Sequence, residues 1–455
     1  MSEIENPGSE FNRRDFLKGS SLAALMTMMG GVELMAQPAG ETRAEPKLIG
    51  PKVRLGIIGL GPQGREILDQ LGRLPQAEIA ALCDHYPAML RRSASKAPSA
   101  RLVEDYKSIL ADKEIPAVLV ATGTHQHKDI VLAALKAGKH VYCEAPLAHT
   151  REDARAMALA AQAAVGQVFQ PGLQARSDPQ RYFLLPFLRS GALGKFVMAR
   201  AQWHRKNSWR QTSPNAQRDQ EINWRLDRAT SLGLAGEIGI HQFDQAGWLM
   251  NNLPTAVQGY SSLLHWKDDG RTVPDTLQLV LEFPDGVRLL YDATLGSSFD
   301  AEYEMYYGTD ATVMIRDHKA WMFKEVDSPL LGWEVYARKE NFYKETGIAL
   351  VAGGSKQAAT AEKPAEEGNA FSPLYYALEA FVGNCAEITA AVEDFTSAFG
   401  KADKKALAEN LAGIELRKAA TVVDGFAATV LAIKINEAVV NHTRIELKKE
   451  LFELA

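Results

Sequence analysis

The sequence predicts an α/β unit followed by an α+β unit: first a doubly wound parallel sheet, then an open-faced, mainly antiparallel sheet. Strand and helix patterns alternate through the first third of the chain. After about Val168 they give way to consecutive extended segments of alternating polarity. The chain has 455 residues, of which 46% are hydrophobic, so it can bury a large core in two or more structural units.

The first unit begins with a buried strand that runs into a glycine-rich turn. Residues 53–58 are mainly apolar and lead into the G-x-G-x-x-G sequence Gly59-Leu60-Gly61-Pro62-Gln63-Gly64. In such a turn, Gly59 permits the sharp bend, Gly61 lets a pyrophosphate approach the backbone, and Gly64 lets the next helix pack closely on the strand. We therefore expect a dinucleotide at the N-terminus of that helix.

An acidic residue closes the next apolar segment. Residues 77–83 predict a second strand, and Asp84 follows it about twenty residues after the glycines, where a carboxylate accepts a hydrogen bond from a ribose 2′-hydroxyl. A carboxylate there repels a 2′-phosphate, so the sequence favours NAD over NADP. His85, with Arg91 and Arg92 nearby, leaves NADP as the less favoured alternative.

The rest of the first unit continues the same alternation of strands and helices. Strands are predicted at 117–121 and 140–143, and helices at 129–137 and 151–164. Gly138 ends the first of these helices. Alternation of this kind is typical of a parallel sheet with helices on both faces.

The second unit is predicted to be a sheet with one covered face. Its extended segments are 197–204, 256–264, 276–283 and 287–295, and the last two are joined by the turn Pro284-Asp285-Gly286. Alternating polarity indicates that the other face is open to binding or association. Helical patterns follow at 374–395 and 406–438, a short strand at 444–447, and an Ala-, Lys-, Glu- and Gly-rich surface loop at 352–368.

Charge and cysteine content exclude several classes of function. The net charge is −5 and no long basic run occurs, which argues against nucleic acid as a partner. Three cysteines are too few for a disulfide framework, and we expect buried thiols. The pairs His125-x-His127 and His241-x-x-Asp244 lack further ligands at local spacing, so no metal is expected.

Residues 1–44 are interpreted as an export signal and linker. Asn12-Arg13-Arg14-Asp15-Phe16-Leu17-Lys18 precedes a mildly apolar segment and resembles a twin-arginine signal. Proteins exported by this machinery cross the membrane folded, with the cofactor inside. The expectation is therefore a periplasmic or otherwise exported protein with tightly bound NAD, which an uncleaved signal would anchor to the membrane.

Four motifs, in this order, resemble those of the Gfo/Idh/MocA family of sugar-acting nicotinamide enzymes. They are the glycine-rich turn, Ala121-Thr122-Gly123-Thr124-His125-Gln126-His127, Gly138-Lys139-His140-Val141-Tyr142-Cys143-Glu144-Ala145-Pro146-Leu147-Ala148, and Gly236-Glu237-Ile238-Gly239-Ile240-His241-Gln242-Phe243-Asp244. The resemblance implies an NAD-binding Rossmann domain over 52–168. It implies a substrate-binding and oligomerisation domain over 169–455, with the sugar between its sheet and the nicotinamide, and a homo-oligomer.

The same resemblance assigns residues to the cofactor and to the reacting carbon. It implies that Glu144 lies near the nicotinamide ribose and that His241 faces the reacting carbon. Glu237 stands where the family usually has aspartate. It also implies a cofactor lining that comprises Thr122, Gly123, Thr124, His125 and His127.

The spacing of Glu237 and His241 supports an acid–base pair without reference to the family. Four residues apart on a helix, they share one face and present an imidazole beside a carboxylate. That imidazole can take a hydroxyl proton as hydride leaves. Asp244 follows three residues later, within reach to orient it.

Aromatic and basic residues are candidates for sugar binding. Indole rings stack on the C–H face of a sugar and guanidinium groups bind its oxygens, which suggests Trp209, Trp224 and Arg225. Packing of either tryptophan in the core is the alternative. Gln174 and Arg176 follow the strand pattern near residue 169, where its carboxyl end should open on the crevice. We interpret them as cofactor and substrate ligands, respectively, with a surface position as the alternative.

One departure from the family pattern leaves the reaction open. Family dehydrogenases have Glu-Lys-Pro where this chain has Glu144-Ala145-Pro146, and their lysine transfers the proton. The favoured hypothesis is an NAD-dependent oxidoreductase acting on a sugar or polyol hydroxyl. The alternatives are a redox-neutral glycoside hydrolase or lyase that works through a transient 3-keto sugar, and a non-catalytic sugar- or nucleotide-binding protein.

Overall fold

The computed structural model describes residues 51–213, 215–316, 319–330, 339–342, 345–350, 371–400 and 404–454, with only the backbone of 339–342 and 345–350. The predicted export signal at 1–44 and the predicted surface loop at 352–368 lie outside these ranges. Among the helices described, none has the length and apolar character that crossing a bilayer requires.

The N-terminal unit alternates strands and helices as predicted. Its elements are β1 (Val53–Ile58), α1 (Pro62–Leu71), β2 (Ala77–Cys83), α2 (Pro87–Ala94), β3 (Arg101–Val103), α3 (Lys107–Leu110), β4 (Ala117–Val120), α4 (His127–Lys136), β5 (His140–Cys143), α5 (Arg151–Ala163) and β6 (Phe169–Pro171). The six strands are parallel, in the order β3-β2-β1-β4-β5-β6. The order reverses between β1 and β4, which opens a crevice at their carboxyl ends.

The C-terminal unit is built around a second sheet. Its elements are α6 (Pro179–Arg189), β7 (Phe196–His204), α7 (Ala216–Ile222), α8 (Ile240–Met250), β8 (Ala256–Ser262), β9 (Thr276–Glu282), β10 (Arg288–Thr294), β11 (Glu302–Gly308), β12 (Ala311–Arg316), β13 (Lys319–Lys324), β14 (Lys339–Phe342), β15 (Glu345–Leu350), α9 (Pro373–Phe399), α10 (Lys404–Leu411), α11 (Val422–Asn441) and β16 (Ile445–Glu446). In the described part, the strand order is β14-β15-β13-β12-β11-β7-β10-β9-β8-β16. Neighbouring strands are antiparallel except for the parallel pair β7 and β10.

One face of the second sheet is covered by helices, as the alternating pattern predicts. In β9, Leu277, Leu279 and Leu281 are buried in one hydrophobic cluster with Phe243 of α8 and Val439 of α11. Residues on the opposite face, such as Tyr260 and Leu290, are exposed. The fold class expected from the sequence is therefore confirmed.

The C-terminal helices connect the two units. In α9, Phe381 is fully buried and its ring packs edge-on against Tyr142 of β5, so this helix covers one face of the first sheet. Helix α11 packs against α5 and β8. The first sheet is thus buried on both faces, which explains the continuously apolar strands β4 and β5.

The prediction of one helix over 406–438 is wrong. Helix α10 ends at Leu411 and α11 begins at Val422. Between them the chain is held by Asn384 of α9, whose side chain accepts from Arg417 N–H at 2.8 Å and donates to Arg417 O at 3.1 Å. Hydrogen bonds to a neighbouring helix replace those that a continuous helix would have made.

Candidate active site

A cavity of about 1820 Å³ lies between the two sheets. Most of the predicted site residues line it: Gly59, Gly61, Pro62, Gln63, Asp84, His85, Thr122, Gly123, Thr124, His125, His127, Glu144, Gln174, Trp209, Trp224, Arg225, Glu237 and His241. Four predicted residues do not line it: Leu60, Gly64, Arg176 and Asp244.

The glycine-rich turn has the tight geometry that its sequence predicts. Gly59 has φ +93°, in the left-handed region. A Cβ on Gly64 would lie 1.9 Å from Gly59 O, so only glycine lets α1 approach β1 this closely. A Cβ on Gly61 would meet no protein atom within 4 Å. The turn therefore leaves open space beside Gly61, on the cavity side.

Asp84 is fixed at the end of β2 by backbone donors. Leu60 N–H donates to Asp84 Oδ2 and Tyr86 N–H donates to Asp84 Oδ1, both at 2.9 Å. A carboxylate has about four acceptor positions, so two remain for a ligand. Leu60 thus contributes through its backbone, by holding the carboxylate against the turn.

The loop after β4 carries two polar atoms that have no partner. Thr122 Oγ1 and His125 Nδ1 are buried and make no hydrogen bond within the described protein. Burial lowers the pKa of His125, with a smaller contribution from His149. Unsatisfied buried polar atoms are costly, so their presence beside a cavity indicates a ligand that supplies the missing hydrogen bonds.

His127 lies close to two backbone carbonyl groups. Its Nδ1 lies 3.0 Å from Pro146 O and its Nε2 lies 3.2 Å from Thr122 O. A neutral ring carries one N–H and so donates to only one of these carbonyl oxygens, but its position places it between the loops after β4 and β5. Burial lowers the pKa of His127 to about 4. His127 thus helps to shape the cavity, and its predicted contact with the cofactor stays a prediction.

Glu144 is a buried carboxyl group at the end of β5. Gln63 Nε2 donates to Glu144 Oε1 at 3.1 Å and so connects the glycine-rich turn to this loop. Burial raises the pKa of Glu144 to about 7, against the lowering effect of this hydrogen bond. Near neutral pH the group is therefore partly protonated and can either donate or accept a hydrogen bond.

Glu237 is held by hydroxyl groups from both units. It lies in a π-helical turn, 235–239, just before α8. Thr124 Oγ1 donates to its carboxylate at 3.2 Å, and Ser231 Oγ does so at 3.2 Å. Burial raises the pKa of Glu237, and Arg225, whose Nε lies 3.9 Å from Oε2, opposes that rise. Thr124 thus hydrogen-bonds Glu237, and its predicted contact with the cofactor stays a prediction.

His241 faces the cavity from the first turn of α8. Its ring makes no hydrogen bond with any described protein group, although Glu237 precedes it by one turn. Burial lowers the pKa of His241 to about 4, so the ring is neutral at pH 7. It is a free base that lines the same cavity as the glycine-rich turn.

The predicted contact between Asp244 and His241 is absent from the described structure, and so is the predicted role of Arg176 in the cavity. Arg176 Nε and Nη2 donate to the two oxygens of Asp244 at 2.9 and 2.8 Å. Its Nη1 lies 2.9 Å from Asp424 Oδ1 of α11. These residues form a buried ion-pair bridge behind the site, because a bidentate pair satisfies both charges away from water.

The aromatic candidates do line the cavity. A Cβ on Gly123 would lie 3.1 Å from Trp224 Cδ2, so this indole rests on the backbone of the loop after β4. The Arg225 guanidinium lies over the rings of Trp224 and Trp209, at 5.2 and 5.9 Å from their centroids. Trp209 has φ +61°, a left-handed conformation that is unusual for a bulky residue.

Sequence reasoning missed several residues that line the substrate side. Gln242 and Gln245 follow His241 on α8, and Arg181 of α6 donates to Gln245 Oε1. Gln242 Oε1 and Arg181 Nη1 are buried without partners in the described structure. The spacing of Gln245, four residues after His241 on one helical face, could have identified it. Arg181 carried no comparable local signal.

The donor set fits a dinucleotide and does not resemble a metal centre. The space beside Gly61, the Asp84 carboxylate and the unpartnered atoms of Thr122 and His125 are the groups that phosphate and ribose require. Within the described residues, no three His, Cys, Asp or Glu side chains are grouped so as to hold a metal ion.

Comparison with known proteins agrees with this geometry. Residues 53–172 match the oxidoreductase family with an NAD-binding Rossmann fold, and residues 186–314 match the GFO/IDH/MocA C-terminal domain. The chain belongs to the Gfo/Idh/MocA family. Gfo/Idh/MocA proteins are described as an oxidoreductase family with an NAD-binding Rossmann fold.

Individual relatives of this Gfo/Idh/MocA protein are distant. Inositol 2-dehydrogenase of Salmonella typhimurium is 26% identical over 253 residues, 54% of this chain and 68% of that one. Rhizopine catabolism protein MocA of Rhizobium meliloti is 27% identical over 314 residues, 68% and 90% of the two chains.

Solved structures show the same fold. A levoglucosan dehydrogenase in complex with NADH and levoglucosan has a TM-score of 0.65 at 19% identity, covering 88% of this chain and 100% of its own. The aldose-aldose oxidoreductase from Caulobacter crescentus, complexed with glycerol, has a TM-score of 0.61 at 20% identity, covering 87% and 100%.

Proposed function

We propose that the protein is an NAD-dependent oxidoreductase that acts on a hydroxyl group of a sugar or polyol. The observation that carries this proposal is His241, a neutral imidazole that lines the cavity and has no partner among the described residues. Such a ring can accept the hydroxyl proton. The names of the relatives, inositol dehydrogenase and levoglucosan dehydrogenase, support a small carbohydrate as substrate.

The other residues of the cavity bind the sugar and the NAD in this proposal. Trp209 and Trp224 offer ring faces for the C–H face of a sugar, and Arg225 offers N–H donors for its oxygens. Glu237 can accept a hydrogen bond from a second hydroxyl. Gly61 and Asp84 would hold the bound NAD, which supplies the hydride acceptor.

The test is to incubate the protein with excess NAD and each of a panel of sugars and polyols. The rise in NADH absorbance measures the rate of oxidation. We expect His241→Ala to lower kcat/KM by roughly 10²- to 10⁴-fold, the usual contribution of a general base. His265→Ala, at an exposed histidine, is the matched control. Unchanged turnover in His241→Ala would overturn the assignment of the base. NADP in place of NAD should give weaker binding, because Asp84 repels a 2′-phosphate.

The second candidate function is a redox-neutral glycoside hydrolase or lyase. Ala145 favours it, because no ammonium group is present at this position and the side chain packs against the apolar residues Leu173 and Ile240. In this scheme a sugar hydroxyl at C3 is oxidised and the acidified C2 proton is removed. The aglycone then leaves, water adds in hydrolysis, and the ketone is reduced again.

Aryl glycosides distinguish these functions. Release of the aryl group without net NADH supports the redox-neutral cycle, whereas net NADH formation supports the dehydrogenase. Sugar or nucleotide binding with neither product supports the third hypothesis, a non-catalytic binding protein. The same His241→Ala variant serves in each assay, since both reactions need a base at the oxidised hydroxyl.

We also propose that residues 1–44 direct export through the twin-arginine machinery, to the periplasm or to the membrane surface if the signal is retained. Cell fractionation of the wild type and an Arg13→Lys/Arg14→Lys variant tests this. Export in the folded state favours tightly bound NAD. Denaturing the purified protein and identifying any released nucleotide tests tight binding.

Homo-oligomerisation stays a prediction. The outer face of the second sheet carries exposed apolar residues, among them Val197, Tyr260 and Leu290. Such a face is a common site of association between identical chains. Light scattering of the purified protein gives the oligomeric state directly.

A further inference from the structure

The described parts of the segment 205–231, which are 205–213 and 215–231, cross the cavity from the second sheet to the first. The segment leaves the end of β7 at Arg205, carries the short helix α7, and returns to the second unit ahead of Glu237. Cavity-lining residues run along most of its length, from Arg205 to Thr230. We call this segment the strap.

The strap contacts the first unit beside Asp84. Glu221, at the end of α7, has Oε2 at 3.0 Å from His85 Nε2, and it also accepts a hydrogen bond from the Tyr86 hydroxyl. One turn earlier on α7, the Arg218 guanidinium lies 4.4 Å from the centroid of the Tyr86 ring. We call the contacts of Glu221 and Arg218 with His85 and Tyr86 the latch.

Hydrogen bonds within the strap hold its described parts together as one structural unit. Asp219 Oδ2 accepts from Arg210 Nη2 at 2.8 Å, and Asp219 Oδ1 accepts from Ser213 N–H at 3.1 Å. The Asn223 side chain accepts from Gln211 N–H at 2.8 Å and donates to Asp219 O at 2.7 Å. The strap therefore resembles a compact surface loop and can move as one body.

The strap is rooted on the second unit and contacts the first at the latch and beside Gly123. At its root, Arg271 donates to Ser208 O, and Thr272 N–H donates to Leu226 O at 2.8 Å. The contact beside Gly123 is made by Trp224, which rests on this glycine. The strap thus covers the cavity between the Asp84 end and the His241 end.

We infer that the strap is a gate for the dinucleotide, which must open at the latch before the nucleotide can enter or leave. This inference rests on the proposed function, because it requires the nucleotide to lie beside Gly61 and Asp84. His85 and Tyr86 directly follow Asp84, so a ligand bound to that carboxylate lies under the latch. Glu221 is accordingly a positioning residue: it holds the strap closed and need not contact the ligand.

A gate has a kinetic signature that a ligand contact does not have. The latch involves only protein groups, so it forms equally with and without nucleotide. Weakening it raises the open fraction in both states, and the association and dissociation rate constants rise by the same factor. The equilibrium Kd, which is their ratio, then stays constant. Loss of a direct ligand contact would raise the dissociation rate constant and the Kd together.

The experiment measures NADH exchange by stopped-flow fluorescence in full-length wild-type protein, Glu221→Ala and Tyr86→Phe. Arg228→Ala is the control, because Arg228 is an exposed strap residue outside the cavity lining. We expect both rate constants to rise about fivefold in Glu221→Ala, the scale of losing partly exposed hydrogen bonds, and less in Tyr86→Phe. Kd should change by less than about twofold in both variants.

Three results would overturn the gate. Rate constants in Glu221→Ala equal to those in Arg228→Ala would show that the latch does not limit exchange. A Kd that weakens in proportion to faster dissociation would make Glu221 a direct ligand contact. Absence of NADH binding to the wild type would remove the proposed function and the gate with it. Thermal unfolding of each variant shows whether the fold is intact.

Discussion

At the scale of single residues, the cavity is lined by ionisable groups removed from water. Burial raises the pKa of Glu144 and Glu237 and lowers the pKa of His241. Each shift favours the uncharged form, which avoids the cost of an isolated buried charge. Near neutral pH the site therefore holds a neutral base beside carboxyl groups that protonate easily. This is the composition expected of a site that moves protons.

Two neighbouring threonines are expected to have separate effects. Thr124 donates to Glu237, whereas the Thr122 hydroxyl has no partner in the described structure. Thr124→Val removes a donor to the carboxylate, so the pKa of Glu237 rises further. In the pH profile of kcat/KM, the decline on the acidic side should then move to higher pH. The value of kcat/KM near neutral pH should fall by about tenfold. Thr122→Val should instead raise the KM for NAD without changing the pH at which kcat/KM declines on the acidic side. Identical pH profiles would contradict this separation.

Two glycines of the turn should also differ. A Cβ on Gly64 would collide with Gly59 O at 1.9 Å, so Gly64→Ala should lower the free energy of unfolding by about 2 kcal/mol. A Cβ on Gly61 enters open space, so Gly61→Ala should leave stability within about 0.5 kcal/mol and weaken NAD binding about tenfold. Urea unfolding and nucleotide titration of both variants measure these effects. Equal loss of stability in the two variants would show that the turn is not packed as described.

At the scale of elements, buried histidines support β4 and β5, with His140 at the amino end of β5 and His127 beyond the carboxyl ends of both strands. His140 Nδ1 accepts from Val168 N–H at 2.8 Å, and its Nε2 lies 3.0 Å from Thr389 Oγ1 of α9. His127 joins the loops after both strands. The pKa of each ring is lowered to about 4 by burial. His127 therefore supports the carboxyl ends of β4 and β5, where the site lies, and His140 supports the opposite end of β5, both as neutral imidazoles.

This arrangement predicts a loss of stability in mild acid. An unfolded histidine has a pKa of about 6.5, so between pH 6.5 and 4 the unfolded chain binds more protons than the native one. The free energy of unfolding should therefore fall as pH falls through that window. Glu144, whose native pKa is raised to about 7, opposes this trend between about pH 7 and its unfolded value of about 4.5. Urea unfolding at pH 7 and pH 5 checks the sign, with His140→Gln showing a weaker pH dependence than His265→Asn. A steeper dependence in His140→Gln would contradict it.

Local sequence predicted some elements and missed others for physical reasons. The hairpin β9–β10 was predictable because Leu277, Leu279 and Leu281 alternate with polar residues before a turn. Strand β12 is buried at successive positions, so it has no alternation and its periodicity cannot distinguish a strand from a buried helix. The break between α10 and α11 depends on Asn384, which is distant in sequence.

At the scale of the whole molecule, an ion-pair bridge behind the site connects two helices of the second unit, one of which also packs on the first unit. Arg176 connects Asp244 of α8 to Asp424 at the start of α11. Its guanidinium also lies 5.2 Å from the centroid of the Trp248 ring. Helix α11 in turn packs on both α5 and β8. The helix that bears His241 is therefore positioned by contacts that reach the first unit.

Arg176→Ala should be among the most damaging single substitutions outside the cavity. It leaves Asp244 buried and unpaired, which costs roughly 3 kcal/mol of unfolding free energy. Adding Asp244→Asn to Arg176→Ala should recover part of that loss, because the unpaired charge is removed. Urea unfolding of the two single variants and the double variant gives the coupling energy. Additive losses would contradict the bridge.

The same scale explains which parts of the site the sequence could predict. The glycine-rich turn, Asp84, Glu144 and His241 were identified because each lies in a motif whose neighbours are local. Arg176 was predicted to bind substrate and Asp244 to orient His241, but the two pair with each other across 68 positions. The hydrogen bond from Thr124 to Glu237 depends on how the two units pack, which local sequence does not show. The latch between Glu221 and Tyr86 was missed for the same reason, since 135 positions separate its two residues.

The backbone of Trp209 has a consequence for engineering this protein. A left-handed φ of +61° at an indole-bearing residue costs on the order of 1–2 kcal/mol, which glycine would largely avoid. Trp209→Gly relieves this strain but loses the packing of the indole against the hydrophobic core, so both the melting temperature and the sugar affinity should fall, as calorimetry and ligand titration would reveal. Trp209→Ala loses the same packing and keeps the strained backbone, so it should melt at a lower temperature than Trp209→Gly. A library at this position should accordingly include glycine, because glycine is the replacement that removes the strain.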